Sequence, residues 1–405
     1  MVQLSKAQNE ALADVRRFLD DDSRQVFRLF GHAGTGKSTI ANLLAGDLKR
    51  VLYGAYTGKA ALVMRQNGCD EATTVHRHIY IPSGASQAEV KRLELELLTE
   101  TDSSKQREIR QKLGEAKLLA EGPRFSLNPD SAVKHAELLV LDECSMIDER
   151  MGADLDSFGT KILVLGDPAQ LPPVRGEGYY TTQKPDVLLT EIHRQAKFSP
   201  VIQLATTVRQ GEQLRGGEYG DSLVGSLPRL GSRGGWDHNK IVERVLDRKI
   251  DQVLCGMNVT RQAFNRAYRS AMGYTGTLPQ RSDRLVCLKN DHDLGLLNGA
   301  QWQVLESEYV DEQIMNVTIT SLDTDDDDLA ISIHTAYFHG GKPDYEDRDL
   351  GSHFDYAYAM TVHKSQGSQW PRVAVIDESR VFRNDAHRHL YTAITRAQEM
   401  VVVGR

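Results

Sequence analysis

The sequence predicts an α/β protein built on two parallel sheets, and three observations predict it. Short apolar runs alternate with helical patterns in both halves of the chain. The runs carry almost no polar residue, as strands buried on both faces require. They fall in two groups, residues 26–165 and the stretch after about residue 250, so the natural division is into two α/β domains. A chain of 405 residues is long enough for two or three separate cores.

The first strand, residues 26–30, runs into Gly31-His32-Ala33-Gly34-Thr35-Gly36-Lys37-Ser38, and residues 38–48 read as the helix that follows. The pattern G-x-x-x-x-G-K-[S/T] is a phosphate-cradling loop. Glycines let the backbone turn tightly and bring N–H groups to phosphate oxygens, and the helix aims its positive dipole end at them. The expected phosphate-binding set is Gly31, Ala33, Gly34, Thr35, Gly36, Lys37, Ser38 and Thr39. Lys37 neutralises the terminal phosphates and the Ser38 hydroxyl holds Mg²⁺.

Further strands are expected at residues 51–55, 138–141, 162–165, 373–376 and 400–403. The strand at 138–141 ends in Asp142-Glu143. After a phosphate loop, a strand-end aspartate holds the metal and the next glutamate polarises the attacking water. The strand at 162–165 leads into Gly166-Asp167-Pro168-Ala169-Gln170-Leu171-Pro172-Pro173-Val174. A glutamine there, beside the acid pair, is placed to sense the nucleotide.

Three segments break the α/β rhythm. Residues 86–121 are highly charged, with Val90, Leu93 and Leu97, then Ile109, Leu113, Ala116 and Ala120, at helical spacing. A turn at 99–104 makes this a helical hairpin, either a solvated arm or a functional wedge. Residues 303–350 carry three β patterns, at 304–310, 314–319 and 329–333. The run Asp325-Asp326-Asp327-Asp328 between them lacks the spaced ligands of a calcium loop and reads as a solvated turn. The glycine-rich stretch 211–235 reads as a surface excursion.

Composition sets limits on partners. Hydrophobic residues make up 40% and charged residues 26%, as in ordinary globular chains, and the net charge of −7 excludes a uniformly basic binder. Any nucleic-acid site must be a local groove. The four cysteines (Cys69, Cys144, Cys255 and Cys287) fit neither a disulfide framework nor a zinc site and point to a reducing compartment. No signal-peptide core and no run of about 18 apolar residues is present, so no membrane segment is expected.

Taken together, the phosphate loop, Asp142-Glu143-Cys144-Ser145-Met146 and the 166–174 segment resemble superfamily 1 helicases, and more narrowly the RecD/Dda-like branch, superfamily 1B. The likeness spans nearly the whole chain. Leu4-Ser5-Lys6-Ala7-Gln8 resembles the adenine-reading Q motif. Residues 56–61 resemble motif Ia, 73–76 motif Ib, 190–195 motif IV, 358–368 motif V and 390–397 motif VI.

The resemblance implies two RecA-like P-loop domains: residues 1–79 with 129–190, and residues 191–302 with 351–405. The helical arm, 80–128, inserts into the first, and a small all-β, SH3-like element, 303–350, into the second. It implies ATP and Mg²⁺ as cofactors, with Gln8, Gln366 and Gly367 also lining the nucleotide, Ser38 and Asp142 on the metal, and Lys37, Glu143, Gln170, Arg194 and Arg396 as the catalytic set. Single-stranded DNA would be held by Thr57, Lys59, Thr74, His76, Thr361, His363 and Lys364. Tyr80, Trp302 and Trp370 are offered as stacking platforms or as core.

The branch implies 5′→3′ unwinding of DNA forks by a cytoplasmic monomer in a bacterial or phage-infected cell. A single-strand-binding, replication or recombination protein is the expected partner. The alternative is a DNA-stimulated motor subunit of a larger recombination or nuclease complex. Relatives often carry a short β-hairpin pin where this chain has its helical arm. The strand-separating device is the arm, its β-like base, with Phe125 as candidate wedge, or another element.

Overall fold

The computed structural model describes residues 4–45, 48–82, 87–100, 103–121, 125–173, 176–191, 198–230, 235–343 and 350–405. The first sheet has six strands in the order Thr73–Thr74, Val51–Ala55, Leu138–Asp142, Ile162–Gly166, Val26–Gly31 and Val187–Leu189, all parallel. Its strands are apolar throughout because both faces are covered. Leu138 and Val140 point into one core, with Phe18, Phe27 and Ile40. Leu139 and Leu141 point into the other, with Val75, Ile79 and Leu155. Each such side chain, removed from water, contributes about 1.5–3 kcal/mol.

The N-terminal helix Lys6–Asp20 is set by a reciprocal cap: Gln8 N–H donates to Ser5 Oγ (3.3 Å), and Ser5 N–H donates to Gln8 Oε1 (2.9 Å). Its apolar stripe, Ala11, Leu12, Val15 and Phe18, closes one face of the sheet.

The second sheet runs Ala359–Thr361, Gln252–Cys255, Trp370–Ile376, Ala397–Gly404, Ser222–Gly225 and Gly217–Tyr219. All neighbours are parallel except the last pair. The two outermost strands lie inside the glycine-rich stretch expected to be a surface excursion. Leu223 and Val224 pair with Val402 and Val403, so an apolar edge site in the sheet overrides a composition that favours loops.

An antiparallel sheet of five strands sits on the second domain, in the order Leu329–His334, Ile314–Ser321, Gln301–Tyr309, Arg284–Cys287 and Phe354–Tyr356. Two of its strands lie outside 303–350, so the β element begins about 20 residues earlier than its apolar alternation indicates. Trp302 is buried in this core, which settles its role as packing.

In the first domain, helices Gln87–Thr99 and Ser103–Glu121 form the arm, joined face to face by Val90, Leu93, Ile109 and Leu113. The arm stands on a two-stranded antiparallel ladder, Tyr80–Pro82 with Phe125–Leu127. Among the described residues, no helix is long and apolar enough to cross a membrane.

Candidate nucleotide site and nucleic-acid face

The phosphate loop leaves the strand Val26–Gly31 and enters the helix Lys37–Ala45. Gly34 and Gly36 adopt φ of 77° and 79°, a region closed to most side chains. Gly31 has no room for a side chain, since a Cβ there would lie 2.5 Å from Thr35 Oγ1. Lys37 Nζ donates to the carbonyls of Gly31 (2.7 Å) and His32 (3.3 Å), so its ammonium is folded onto its own loop. Gln8 Nε2 donates to Thr35 O (3.0 Å), tying the Q-motif residue to the loop rather than to open solvent. The Ser38 side chain and Arg194 lie outside the described residues.

The acid pair closes the next strand, Leu138–Asp142. Glu143 has left-handed backbone (φ 52°), an arrangement that costs a non-glycine residue on the order of 1–3 kcal/mol and is kept chiefly at functional sites. Its Oε1 lies 3.7 Å from Nη1 of Arg396, which comes from the second domain. Burial pushes the Glu143 carboxyl pKa up, and the Arg396 guanidinium pulls it back only in part. Arg396 is held by its own domain: it donates to the carbonyls of Thr392 (3.2 Å) and Ser368 (3.3 Å) and to Thr395 Oγ1 (3.3 Å). Gln170 and Gln366 are buried, and the amide oxygen of each has no hydrogen-bond partner among the described residues. Gln366 Nε2 donates to Leu171 O (3.1 Å), across the domain boundary.

A lysine resting on neutral carbonyls can turn its donors to phosphate, the acid pair beside it can take a metal ion and a water, and the orphaned amide oxygens can accept from water, a set that fits a magnesium–nucleoside triphosphate. Asp142 and Ser38 are the residues that would hold the metal.

The cleft contains four mutually contacting residues that sequence reasoning passed over. Asp167 is buried and accepts from Tyr391 Oη (2.5 Å), from Ala169 N–H (3.0 Å) and from His32 Nδ1 (3.3 Å). Burial raises the Asp167 pKa, but hydrogen bonding from His32, the nearby Lys37 charge and the Tyr391 hydroxyl bring it below the usual carboxylate range. Tyr391 also accepts from Ala33 N–H (3.2 Å), and Arg209 Nη1 meets His32 Nε2 at 2.7 Å. Tyr391 stood inside the motif VI likeness, and nothing in its spacing linked it to Asp167.

The predicted DNA contacts divide. Thr57 and Thr74 cap helices, accepting from Ala60 N–H (3.1 Å) and Arg77 N–H (3.3 Å). Lys59 is in a cross-domain ion pair, Nζ to Asp323 Oδ1 at 2.7 Å. Thr361 is buried, His363 is half-buried against Phe382 and Lys364 is exposed. His76 is exposed at its edge, with its ring among Tyr56, Tyr80 and Phe125, centroids 6.4, 5.3 and 6.3 Å away. Phe125 is 47% exposed at the foot of the arm. Tyr80 donates to Asp154 Oδ2 (2.5 Å), and Trp370 packs on the second sheet's core.

The fold and the cleft define a two-domain P-loop protein of the RecA-like kind. The chain belongs to the AAA domain family, which its residues 3–222 match. Residues 356–403 match the UvrD-like helicase C-terminal domain. The chain is 25% identical over 391 residues to the ATP-dependent RecD2 DNA helicase of Deinococcus radiodurans, covering 92% of this chain and 46% of that protein. It is 26% identical over 434 residues to the RecBCD enzyme subunit RecD of Mycobacterium tuberculosis, covering 94% of this chain and 67% of that one. It therefore spans about half the length of the RecD2 protein. The solved structure of the Pif1 helicase from Bacteroides in complex with ADP-AlF3 and ssDNA shares the fold, with a TM-score of 0.55 and 16% identity over 100% of this chain and 93% of that one.

Proposed function

We propose that the chain is an ATP-dependent 5′→3′ DNA helicase that moves on single-stranded DNA and opens forks. The observation that carries this is the division of the hydrolysis set. Lys37 and Glu143 lie in the first domain, and Arg396, 3.7 Å from Glu143, comes from the second. A site completed only when two domains meet turns nucleotide binding and release into closing and opening.

In the proposed cycle Lys37 exchanges the carbonyls of Gly31 and His32 for phosphate oxygens. Glu143 takes a proton from the attacking water. Arg396, and Arg194 by family likeness, stabilise the charge that develops on the transferred phosphoryl group. Bound magnesium, held by Ser38 and Asp142, would screen phosphate charge. Gln170 and Gln366 are the nucleotide-sensing amides. Along the DNA face, hydroxyl, imidazole and ammonium groups grip phosphates without reading sequence, as a motor needs. The Tyr56–His76–Tyr80–Phe125 cluster gives bases a surface to stack on, and Phe125 is the proposed wedge. The family likeness favours a cytoplasmic monomer working with replication or recombination proteins.

The likeness to a RecBCD subunit favours a second reading, a translocase that serves as motor within a larger complex. Duplexes with a 5′ or a 3′ single-stranded tail, given ATP and Mg²⁺, separate the two. Opening of only the 5′-tailed duplex supports the helicase, and opening of only the 3′-tailed one rejects the polarity. DNA-stimulated ATP hydrolysis without opening favours the motor subunit.

A further inference from the structure

The turn after the strand Ile162–Gly166 is held from the opposite domain by more side chains than the phosphate chemistry uses. Tyr391 is 2% exposed, and its hydroxyl lies between two first-domain groups, Asp167 Oδ2 and the backbone N–H of Ala33 in the phosphate loop. Thr392 Oγ1, the next residue along, accepts from Leu171 N–H (2.9 Å) in the same turn. Arg209, on the second-domain helix Pro200–Arg209, meets His32 of the loop, and the other ring nitrogen of His32 faces Asp167. The four residues form one chain: Arg209, His32, Asp167, Tyr391.

Chemistry fixes the direction of each bond. Burial and the Asp167 carboxylate push the Tyr391 phenol pKa up, so the hydroxyl keeps its proton, donates it to Asp167 and accepts from Ala33. A carboxylate beside Nδ1 of His32 selects the tautomer protonated there. That leaves Nε2 as acceptor for the Arg209 guanidinium, which can only donate. Both ring nitrogens of His32 and both carboxylate oxygens of Asp167 have partners, and both ends of the chain belong to the second domain.

We infer that Tyr391 is a positioning residue for ATP hydrolysis, with Arg209 acting on the same turn through His32. It holds the phosphate loop and the Gln170-bearing turn in register with the second domain. This rests on the reading of the chain as an ATP-hydrolysing motor. A closed cleft keeps the chain intact, and an open one breaks it at Tyr391 and Arg209 together, so the loop and the turn lose alignment in one event.

The test is steady-state ATP hydrolysis by the full chain with saturating single-stranded DNA, for wild type, Tyr391→Phe, Arg209→Met and the double variant, with thermal melting as a check on folding. Tyr391→Phe is expected to lower kcat about tenfold with KM for ATP within twofold, and Arg209→Met to lower it about threefold. The double variant is expected within twofold of Tyr391→Phe, because both act on one turn. A Tyr391→Phe kcat within twofold of wild type, losses that multiply, or a change confined to KM overturns the inference. If Tyr391→Phe does not fold, Arg209→Met, His32→Gln and their combination decide: matched kcat losses that do not multiply in the combination support it, and unchanged kcat or losses that multiply overturn it. Wild type without ATP hydrolysis defeats the underlying reading, and the inference with it. Hydrolysis in wild type with unchanged variants defeats the inference alone.

Discussion

The proposed nucleotide cleft and the proposed nucleic-acid face are both lined by motif residues, yet they use them differently. In the cleft, side chains from two domains meet directly: Arg396 reaches Glu143, Tyr391 reaches Asp167 and Arg209 reaches His32. On the nucleic-acid face, two of the expected hydroxyls cap helices, and Lys59 is held by Asp323. Within the cleft, Lys37 rests on the carbonyls of Gly31 and His32. On the proposed face the Lys59 charge is taken up within the protein by Asp323. For the proposed motor that difference has a use, since its grip on the track must release in each cycle.

The comparison breaks most visibly at the cleft. Lys37→Ala is expected to lower DNA-stimulated ATP turnover about 10³-fold, since it removes the cation that meets the developing charge. Glu143→Gln removes the proposed base and is expected to cost about 10²-fold. Single-stranded DNA affinity, read by fluorescence anisotropy, should stay within about twofold in both, since neither residue lies on the face. A large loss of affinity in either would mean that the two regions are not separable.

Next comes the face itself. Phe125→Ala is expected to slow strand separation about tenfold while DNA-stimulated hydrolysis persists, the size of one lost base–aromatic contact at about 1–3 kcal/mol. Equal losses in both activities would move Phe125 from wedge to fold support. Asp323→Asn is expected to tighten single-stranded DNA binding about threefold at low salt, because it frees Lys59 for phosphate. Weaker binding there would show that the Lys59–Asp323 pair builds the groove instead of competing with it.

The same contrast explains what the sequence could tell. The phosphate loop and Asp142-Glu143 are legible because their chemistry is local: consecutive residues, a strand, a turn. The Tyr391–Asp167 bond joins residues 224 apart and has no local signature. The strand at Ser222–Gly225 was hidden because its partner, Ala397–Gly404, lies at the far end of the chain and supplies the pairing that glycines do not favour. Lys59 read as a phosphate donor because motif spacing cannot reveal an aspartate in a distant β turn. Trp302 could be platform or core until the Arg284–Cys287 and Phe354–Tyr356 strands enclosed its sheet.

The smallest expected effect is one of pH. Burial lowers the pKa of His76, packed among aromatic rings, and of His363, beside Phe382; Asp148 and Asp385, respectively, oppose this only in part. Both imidazoles therefore hold the neutral form to lower pH than an ordinary histidine and, on the proposed face, would meet phosphates as hydrogen-bond donors. They become cations only at lower pH, where a gained proton strengthens phosphate contact. The affinity ratio of wild type to a His76→Gln, His363→Gln double variant should be constant from pH 8 to about 6.5 and rise below it. A ratio already climbing between pH 8 and 7 would mean that DNA phosphates raise these pKa values enough to offset burial, and the face would then carry more charge than its free state shows.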